Sequence, residues 1–381
     1  MAFKKRLRWR LCVPNVFAVH QRASAPSITG VDFGRVFTMT SGLRSILAAF
    51  GIALASMTLA AAENSKPLEI YFIDVEGGQA TLFVTPAGRS LLIDAGWPVE
   101  RDSQRIAEAM KFARIQKLDF LLITHYHHDH VGGVQLLVQA VPVGTFIDHG
   151  LLRQPGKPMD EDYAAYQKIL ASGKYRRIVA RPGDNLPIKG MDAVVVSSDG
   201  DLIDHALPGA GEPNSYCKSS EQRPADESEN ARSVGIPLVF GKLRILDLGD
   251  LTWDKEIQLM CPNNKLGKID LYVVSHHGFE QSGSPALVDA IAPALPAWTT
   301  LQRKGGSPSA WTILSAAPGL QNLWQLHYSE EGGRDHNVAE PFIANIGSTD
   351  PGNYIKVAAY QDGRLTVFNS RTKSEKTYAA Q

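Results

Sequence analysis

The 381-residue sequence predicts an α/β fold, and three features carry that expectation. Apolar runs of strand length end in turn residues, stretches with helical spacing separate several of them, and the pattern recurs in the second half of the chain. Strand–helix alternation of this kind builds neighbouring parallel strands whose C-terminal ends share one edge. At 44% hydrophobic and 20% charged residues, the composition is that of a globular chain long enough to bury a large core.

The first 62 residues read differently. From Met39 the sequence offers a basic start at Arg44, an apolar run from Ser45 to Leu59, and Ala60-Ala61-Ala62 before Glu63. That is the order of a secretory signal peptide over residues 39–62, cut after Ala62. Residues 1–38 then read as an over-extended N-terminus, with an unusually long basic leader as the alternative. A retained anchor is disfavoured, because the apolar run falls short of the roughly 20 residues a span needs.

The expectation is a periplasmic or secreted protein with no membrane association once the signal is removed. Residues 1–62 hold eight Lys or Arg and one Asp, so the remainder has 31 basic and 38 acidic side chains, net −7. An acidic chain of this kind has no general electrostatic reason to bind nucleic acid. Cys217 and Cys261 are the cysteines left in that remainder, and an oxidising compartment permits either one bridge or two buried thiols.

Residues 63–381 are expected to form the folded domain. Leu68 to Ile73, Ala80 to Val84 and Ser90 to Asp94 alternate with Gly- and Pro-containing turns and predict a β-meander. Arg101 to Ala113 carries Ile106, Ala107, Met110 and Ala113 at helical spacing, and Ile115 to Ile123 returns as a buried strand.

That strand runs into Thr124-His125-Tyr126-His127-His128-Asp129-His130-Val131-Gly132-Gly133-Val134. Four metal-ligand side chains, His125, His127, Asp129 and His130, occupy six residues there. Imidazole and carboxylate are ligands that a zinc-like ion prefers, and burying four of them needs a compensating positive charge. His125 and His127, two apart, point the same way, whereas Asp129 and His130 at the start of a helix can face a second ion. The bland alternative is a His-rich exposed loop, which the flanking apolar strand and helix argue against.

Val131 to Ala140 predicts a helix and Val143 to Ile147 a strand ending at Asp148-His149-Gly150, which brings His149 toward the metals. Tyr163 to Ser172 reads as a helix, Asp192 to Ser197 as a strand, and Pro208 to Asp226 as a long loop. Ser233 to Phe240 and Leu243 to Leu248 form a hairpin ending in Gly249-Asp250. A helix over Glu256 to Met260 and a strand over Ile269 to Val274 lead to Ser275-His276-His277-Gly278.

His125-x-His127-x-Asp129-His130 resembles the signature of the metallo-β-lactamase superfamily. Asp74 to Ala80, Glu229-Asn230-Ala231-Arg232-Ser233, the Gly249-Asp250 strand end and His276-His277-Gly278 with Ser282 are similar to motifs of its ComEC-like metallo-hydrolase branch, over roughly residues 68–300. The resemblance implies an αββα sandwich of two mixed sheets flanked by helices. It also implies two divalent cations, zinc or manganese, held by His125, His127, Asp129, His130, His149, Asp250 and His276. Asp250 would bridge both cations, Asp94 would hold and orient the ligands, and His277 and Asn230 would lie behind them or face substrate.

His205 competes with His149 for the third histidine of the first metal; His149 is preferred because it ends a predicted strand. His127 stands where the ComEC-like pattern often has an acid, which favours a complete dinuclear site. The membrane channel attached to that domain in ComEC has no counterpart here, so the expectation is a free exported hydrolase. The tail, with Lys304-Gly305-Gly306, His327 and His336, is not explained by the pattern; His327 is a candidate for the substrate pocket.

Two cations activate water for attack on a carbonyl or phosphoryl group, with Asp129 and Asp250 holding it and Asp129 moving its proton. A two-metal clamp suits a phosphodiester best, because attacking and leaving oxygens both need charge stabilisation. The expected substrate is therefore a phosphodiester or a related small molecule. The alternatives are acyl chemistry (a β-lactamase, lactonase or thioesterase) and a non-catalytic binding protein on the same fold.

Overall fold

The computed structural model describes residues 66–298, 305–347 and 351–379, all within the unit Ser56–Gln381. The expected signal peptide and leader, and Lys304, lie outside the described residues. Strands β1 (Leu68–Phe72), β2 (Thr81–Val84) and β3 (Ser90–Ile93) form the predicted meander. Helix α1 (Glu100–Phe112) leads to β4 (Leu118–Leu122), which pairs parallel to β3. The helix expected after the histidine motif is split at Gly132-Gly133 into α2 (His128–Val131) and α3 (Val134–Ala140). Then come β5 (Val143–Asp148), α4 (Met159–Ala171) and β6 (Arg176–Val179), with β5 and β6 extending the parallel run.

The predicted strand over Asp192 to Ser197 is broken into β7 (Asp192–Ala193) and β8 (Ser197–Ser198), the latter paired with β9 (Asp201–Leu202). The cause lies in the partner: β10 (Ile236–Phe240) pairs with β7 through Leu238 and Val239, and its next residue is Pro237, which has no N–H to continue the ladder. From β11 (Leu243–Asp247) the second half is parallel. Helix α5 (Trp253–Met260), β12 (Leu271–Val273), α6 (Pro285–Ile291), β13 (Leu295–Trp298), α7 (Pro308–Ser315), β14 (Trp324–His327) and β15 (Ile343–Asn345) follow in turn. The chain then returns to β1 as β16 (Ile355–Ala359), β17 (Leu365–Asn369) and β18 (Ser374–Tyr378).

Two mixed sheets result, with orders β18-β17-β16-β1-β2-β3-β4-β5-β6 and β15-β14-β13-β12-β11-β10-β7. Side-chain alternation assigns each face. Leu68, Ile70 and Phe72 of β1 and Leu122 of β4 pack with Leu238, Ile245 and Val273 of the other sheet in one central core. Tyr71, Leu92 and Leu121 turn the other way, onto Ile106, Met110, Leu137 and Tyr166 of the first helices. Leu246 and Tyr272 do the same on the far side, onto Ile257, Leu287, Ile291 and Leu314. Strands buried on both faces need apolar residues at both parities, which is why β3 carries the run Leu91-Leu92-Ile93 and β12 reads Leu271-Tyr272-Val273. The expected αββα sandwich is the observed fold.

Among the described residues no helix is long and apolar enough to cross a membrane. Cys217 and Cys261 form a disulfide, resolving the alternative left open by the sequence.

Candidate metal centre

The C-terminal ends of β3, β4, β11 and β12 come together at one edge of the sandwich, as parallel strands in facing sheets must. Each end contributes polar residues: Asp94, Thr124 to His130, Asp247 to Asp250, and Ser275 to His277. The sheets close tightly here. Val234 N–H donates to Thr124 O, and Gly249 sits at φ +55° with Thr124 so near that a Cβ would lie 2.8 Å from it. The 74–80 loop closes another side, where Gln79 N–H donates to Asp129 O and a Cβ on Gly78 would lie 2.2 Å from that oxygen.

Asp94 organises the histidines. Its Oδ1 accepts the Thr124 N–H, while its Oδ2 accepts the Thr124 hydroxyl and faces His130 Nδ1, each at 2.7 or 2.8 Å. Thr124 Oγ1, having given its proton to Asp94, accepts from His125 Nδ1 at 3.0 Å. Both imidazoles thus carry their proton on Nδ1 and present Nε2 to the centre, the arrangement that fixes a metal-binding tautomer. The orienting role expected of Asp94 has its geometry here; the relay through Thr124 is one that sequence reading missed.

The Nε2 atoms converge with carboxylates. His125 Nε2 lies 3.7 Å and His130 Nε2 3.3 Å from Asp250 Oδ2, and His277 Nε2 lies 3.6 Å from Asp250 Oδ1. Asp129 Oδ2 is 3.9 Å from His130 Nε2 and 3.7 Å from His277 Nε2. Two overlapping ligand groups result, His125-His130-Asp250 and Asp129-His130-His277. His127 joins the first side, its Nδ1 3.0 Å from His125 Nε2.

These residues fit a divalent cation. Bonds of about 2.0 Å in a tetrahedral zinc site place neighbouring ligand atoms about 3.3 Å apart, within the spread seen here. Asp250 Oδ1 is buried and has no hydrogen-bond partner among the described residues, an expensive condition unless a cation meets it. Burial holds His125 well below the usual histidine pKa, with His130 beside it adding to the shift, so His125 stays a neutral ligand. Burial opposes charge on His130 too, yet Asp250, Asp94 and Asp129 outweigh it and hold that ring well above its usual value. Burial raises Asp250, but His130, His276 and His277 outweigh it and keep the carboxylate ionised. The cluster demands positive charge.

Two expected placements need correction. His149 ends β5 as predicted, but its Nε2 donates to Glu229 at 2.7 Å and its ring lies against Tyr126, so it belongs to neither ligand group. Its rival His205 is 69% exposed and pairs with Asp204. The order of His276 and His277 is also reversed. Both adopt a left-handed backbone, φ 52° and 53°, so proximity to the strand does not decide which ring points inward. His277 is fully buried among the ligands. His276 lies at the rim with Nε2 3.6 Å from Asp250 Oδ2, accepts from Asn230 Nδ2 at 3.3 Å and faces Ser282 through Nδ1. His327 Nε2 lies 2.7 Å from Asp74 Oδ1, in a separate group with Glu76.

Glu229 is the residue that sequence reading left without a role. Its carboxylate accepts from His149, Tyr126 N–H and Arg153 N–H, and so braces the backbone between His125 and His127 from behind.

A family profile described as "Metallo-beta-lactamase superfamily" matches residues 73–216. The chain is 24% identical over 334 residues to "Recombination protein 2" of Haemophilus influenzae, covering 87% of this chain and 34% of that protein. It is 30% identical over 97 residues to "Probable metallo-hydrolase YhfI" of Bacillus subtilis, covering 26% and 37%. The matched stretches span about a third of the length of these curated relatives. Among solved structures, the metallo-beta-lactamase fold protein YhfI from Bacillus subtilis aligns with 76% of this chain and 99% of its own, at 14% identity and a TM-score of 0.42. CmlA, a diiron beta-hydroxylase from Streptomyces venezuelae, aligns with 61% and 45%, at 17% identity and 0.35. The profile match begins in the loop before β2 and runs through the His125 to His130 motif, and the Recombination protein 2 alignment extends over the remaining ligands. Residues 73–216 thus match the metallo-beta-lactamase superfamily, the chain has a homologue in the ComEC-like Recombination protein 2, and these matches support a metal-dependent hydrolase.

Proposed function

We propose that residues 63–381 form an exported, dinuclear phosphodiesterase. The observation that carries the dinuclear reading is Asp250, whose two oxygens face different histidines, Oδ2 toward His125 and His130 and Oδ1 toward His277. A carboxylate placed so can hold two cations at once. Bound there, zinc or manganese would supply Lewis acidity and bring the pKa of water toward neutrality. His125, His127, Asp129, His130, Asp250 and His277 would hold the pair. Asp129, with Oδ2 toward both His130 and His277, accepts the proton of the attacking water. His276 and Asn230 at the rim orient the substrate oxygen.

A phosphodiester is favoured over an acyl group because paired charges stabilise both the entering and the leaving oxygen. The homology to a protein named for recombination supports a phosphodiester substrate. Export is supported by the Cys217–Cys261 disulfide, since such bonds persist in oxidising compartments. The test is turnover by metal-loaded protein. Hydrolysis of bis(p-nitrophenyl) phosphate that stops on chelation and resumes with zinc or manganese is the expected result. Turnover of nitrocefin, a lactone or a thioester without phosphodiester cleavage would replace the reading with acyl chemistry, and no turnover with metal bound would favour a binding protein.

A further inference from the structure

A cavity of about 390 Å³ opens at the C-terminal ends of β5 and β6, one strand beyond the metal ligands of β4. His149, Arg153, Val179, Arg181, Ser198 and Asp199 line it. Its floor has an unmet need. His149 is 2% exposed, its Nε2 is committed to Glu229 and its ring to Tyr126, yet its Nδ1 is buried with no hydrogen-bond partner among the described residues. With Nε2 donating to the Glu229 carboxylate, that tautomer presents Nδ1 as an acceptor. Asp199 Oδ1, another acceptor, lies 3.9 Å away.

A group entering here must bring hydrogen-bond donors. A metal ion is a poor occupant, because Arg153 already neutralises Asp199 through Nε and Nη2 at 2.7 and 2.5 Å. A hydroxyl, or a vicinal pair of them, can donate to both His149 Nδ1 and Asp199. Ser198 Oγ, which donates to Ala180 O, offers a further lone pair, and Arg181 at the mouth supplies positive charge for an anion. The volume suits one sugar ring with a phosphate. Glu229 ties the floor to the metal centre, since the carboxylate that holds His149 also accepts the Tyr126 N–H between His125 and His127.

We propose that this cavity binds the phosphorylated-sugar portion of the substrate, a sugar hydroxyl donating to His149 Nδ1 and the phosphate meeting Arg181. The choice of ligand rests on the phosphodiesterase reading; the cavity itself is read by binding, without turnover. Ribose 5-phosphate stands for a nucleotide source and glucosamine 1-phosphate for an envelope glycan. Calorimetric titration of each into metal-loaded wild-type protein and into Val179→Trp is the experiment. Val179 is 44% exposed, ends β6 and belongs to neither ligand group, so the larger ring is placed to fill the cavity and leave the centre intact.

The expected result is saturable binding of at least one probe, weakened tenfold or more by Val179→Trp at unchanged metal content. Binding of neither probe, or binding that Val179→Trp leaves intact, as phosphate held only at the metals would be, overturns the proposal. If Val179→Trp fails to fold, Arg181→Ala on its exposed side chain answers instead: fivefold weaker binding supports the site and unchanged binding overturns it. A wild-type protein that binds a probe in the cavity but leaves bis(p-nitrophenyl) phosphate intact would keep this site and remove the phosphodiesterase reading.

Discussion

Two groups of histidine and carboxylate lie along the same edge of the sandwich and differ in what balances their charge. In the Asp74-Glu76-His327 group, Arg105 Nη1 lies 3.2 Å from Asp74 Oδ2 and 2.8 Å from Asp74 O, and Arg101 Nη1 comes within 3.9 Å of Glu76. In the His125-His130-Asp250 group, the ion-pair partners of Asp250 among the described residues are all histidines. Guanidinium groups are permanently charged and satisfy the first group from within the chain. Imidazoles present lone pairs and leave the second group to a cation from outside. Proximity of ligand-type atoms therefore does not make a metal site; the identity of the nearest cation does.

The comparison breaks most visibly at Asp250. Asp250→Asn removes the charge that both sides of the centre share, and we expect a loss of at least about 1000-fold in turnover, about 4 kcal/mol of transition-state stabilisation, together with loss of bound metal. Mass spectrometry of metal content beside kinetics checks this. Retention of two ions would show that Asp250 is not their common ligand.

A third way of burying a carboxylate sharpens the contrast. Glu256 has no ion pair among the described residues: its oxygens accept the Gly283 and Ser284 N–H groups, and burial raises its pKa from 4.5 to about 7. A raised carboxyl pKa means that the folded state holds the proton more tightly than the unfolded chain. Its contribution is therefore full below about pH 4.5 and is lost as pH rises toward 7, by about 3 kcal/mol over the window. Denaturant midpoints should fall across that window in wild type more steeply than in Glu256→Gln. Equal slopes would show that Glu256 is ionised throughout.

The smallest expected effect is at the Arg-balanced group. His327→Gln weakens one buried hydrogen bond to Asp74 and should cost about 1 to 3 kcal/mol of stability while leaving metal content at the wild-type value. A drop in bound metal would erase the distinction between the two groups.

Much of the fold was readable because strand and helix periods are local. The meander over residues 68–94, the helix near 101–113 and the hairpin at 236–247 sit within a few residues of expectation. Helices α6 and α7 and strands β13 to β18 escaped reading, since short apolar stretches such as Leu295–Trp298 carry no period that separates them from loop. The break at Pro237 was equally hidden: its effect falls on a partner strand more than 40 positions earlier.

The sequence by itself determined the kind of chemistry at the centre. His125, His127, Asp129 and His130 follow one strand so closely that backbone geometry alone keeps their side chains near one another, whatever else the chain does. Tertiary structure decided the rest. Asp74 meets His327 across 253 positions and Gln79 meets Asp247 across 168, contacts that exist only because the two sheets stack face to face. The left-handed turn at His276 and His277 chose the inner ring, and Glu229 drew His149 away from the ligands. These outcomes depend on which groups the packed core brings within hydrogen-bond reach, and no local pattern of residues encodes that distance.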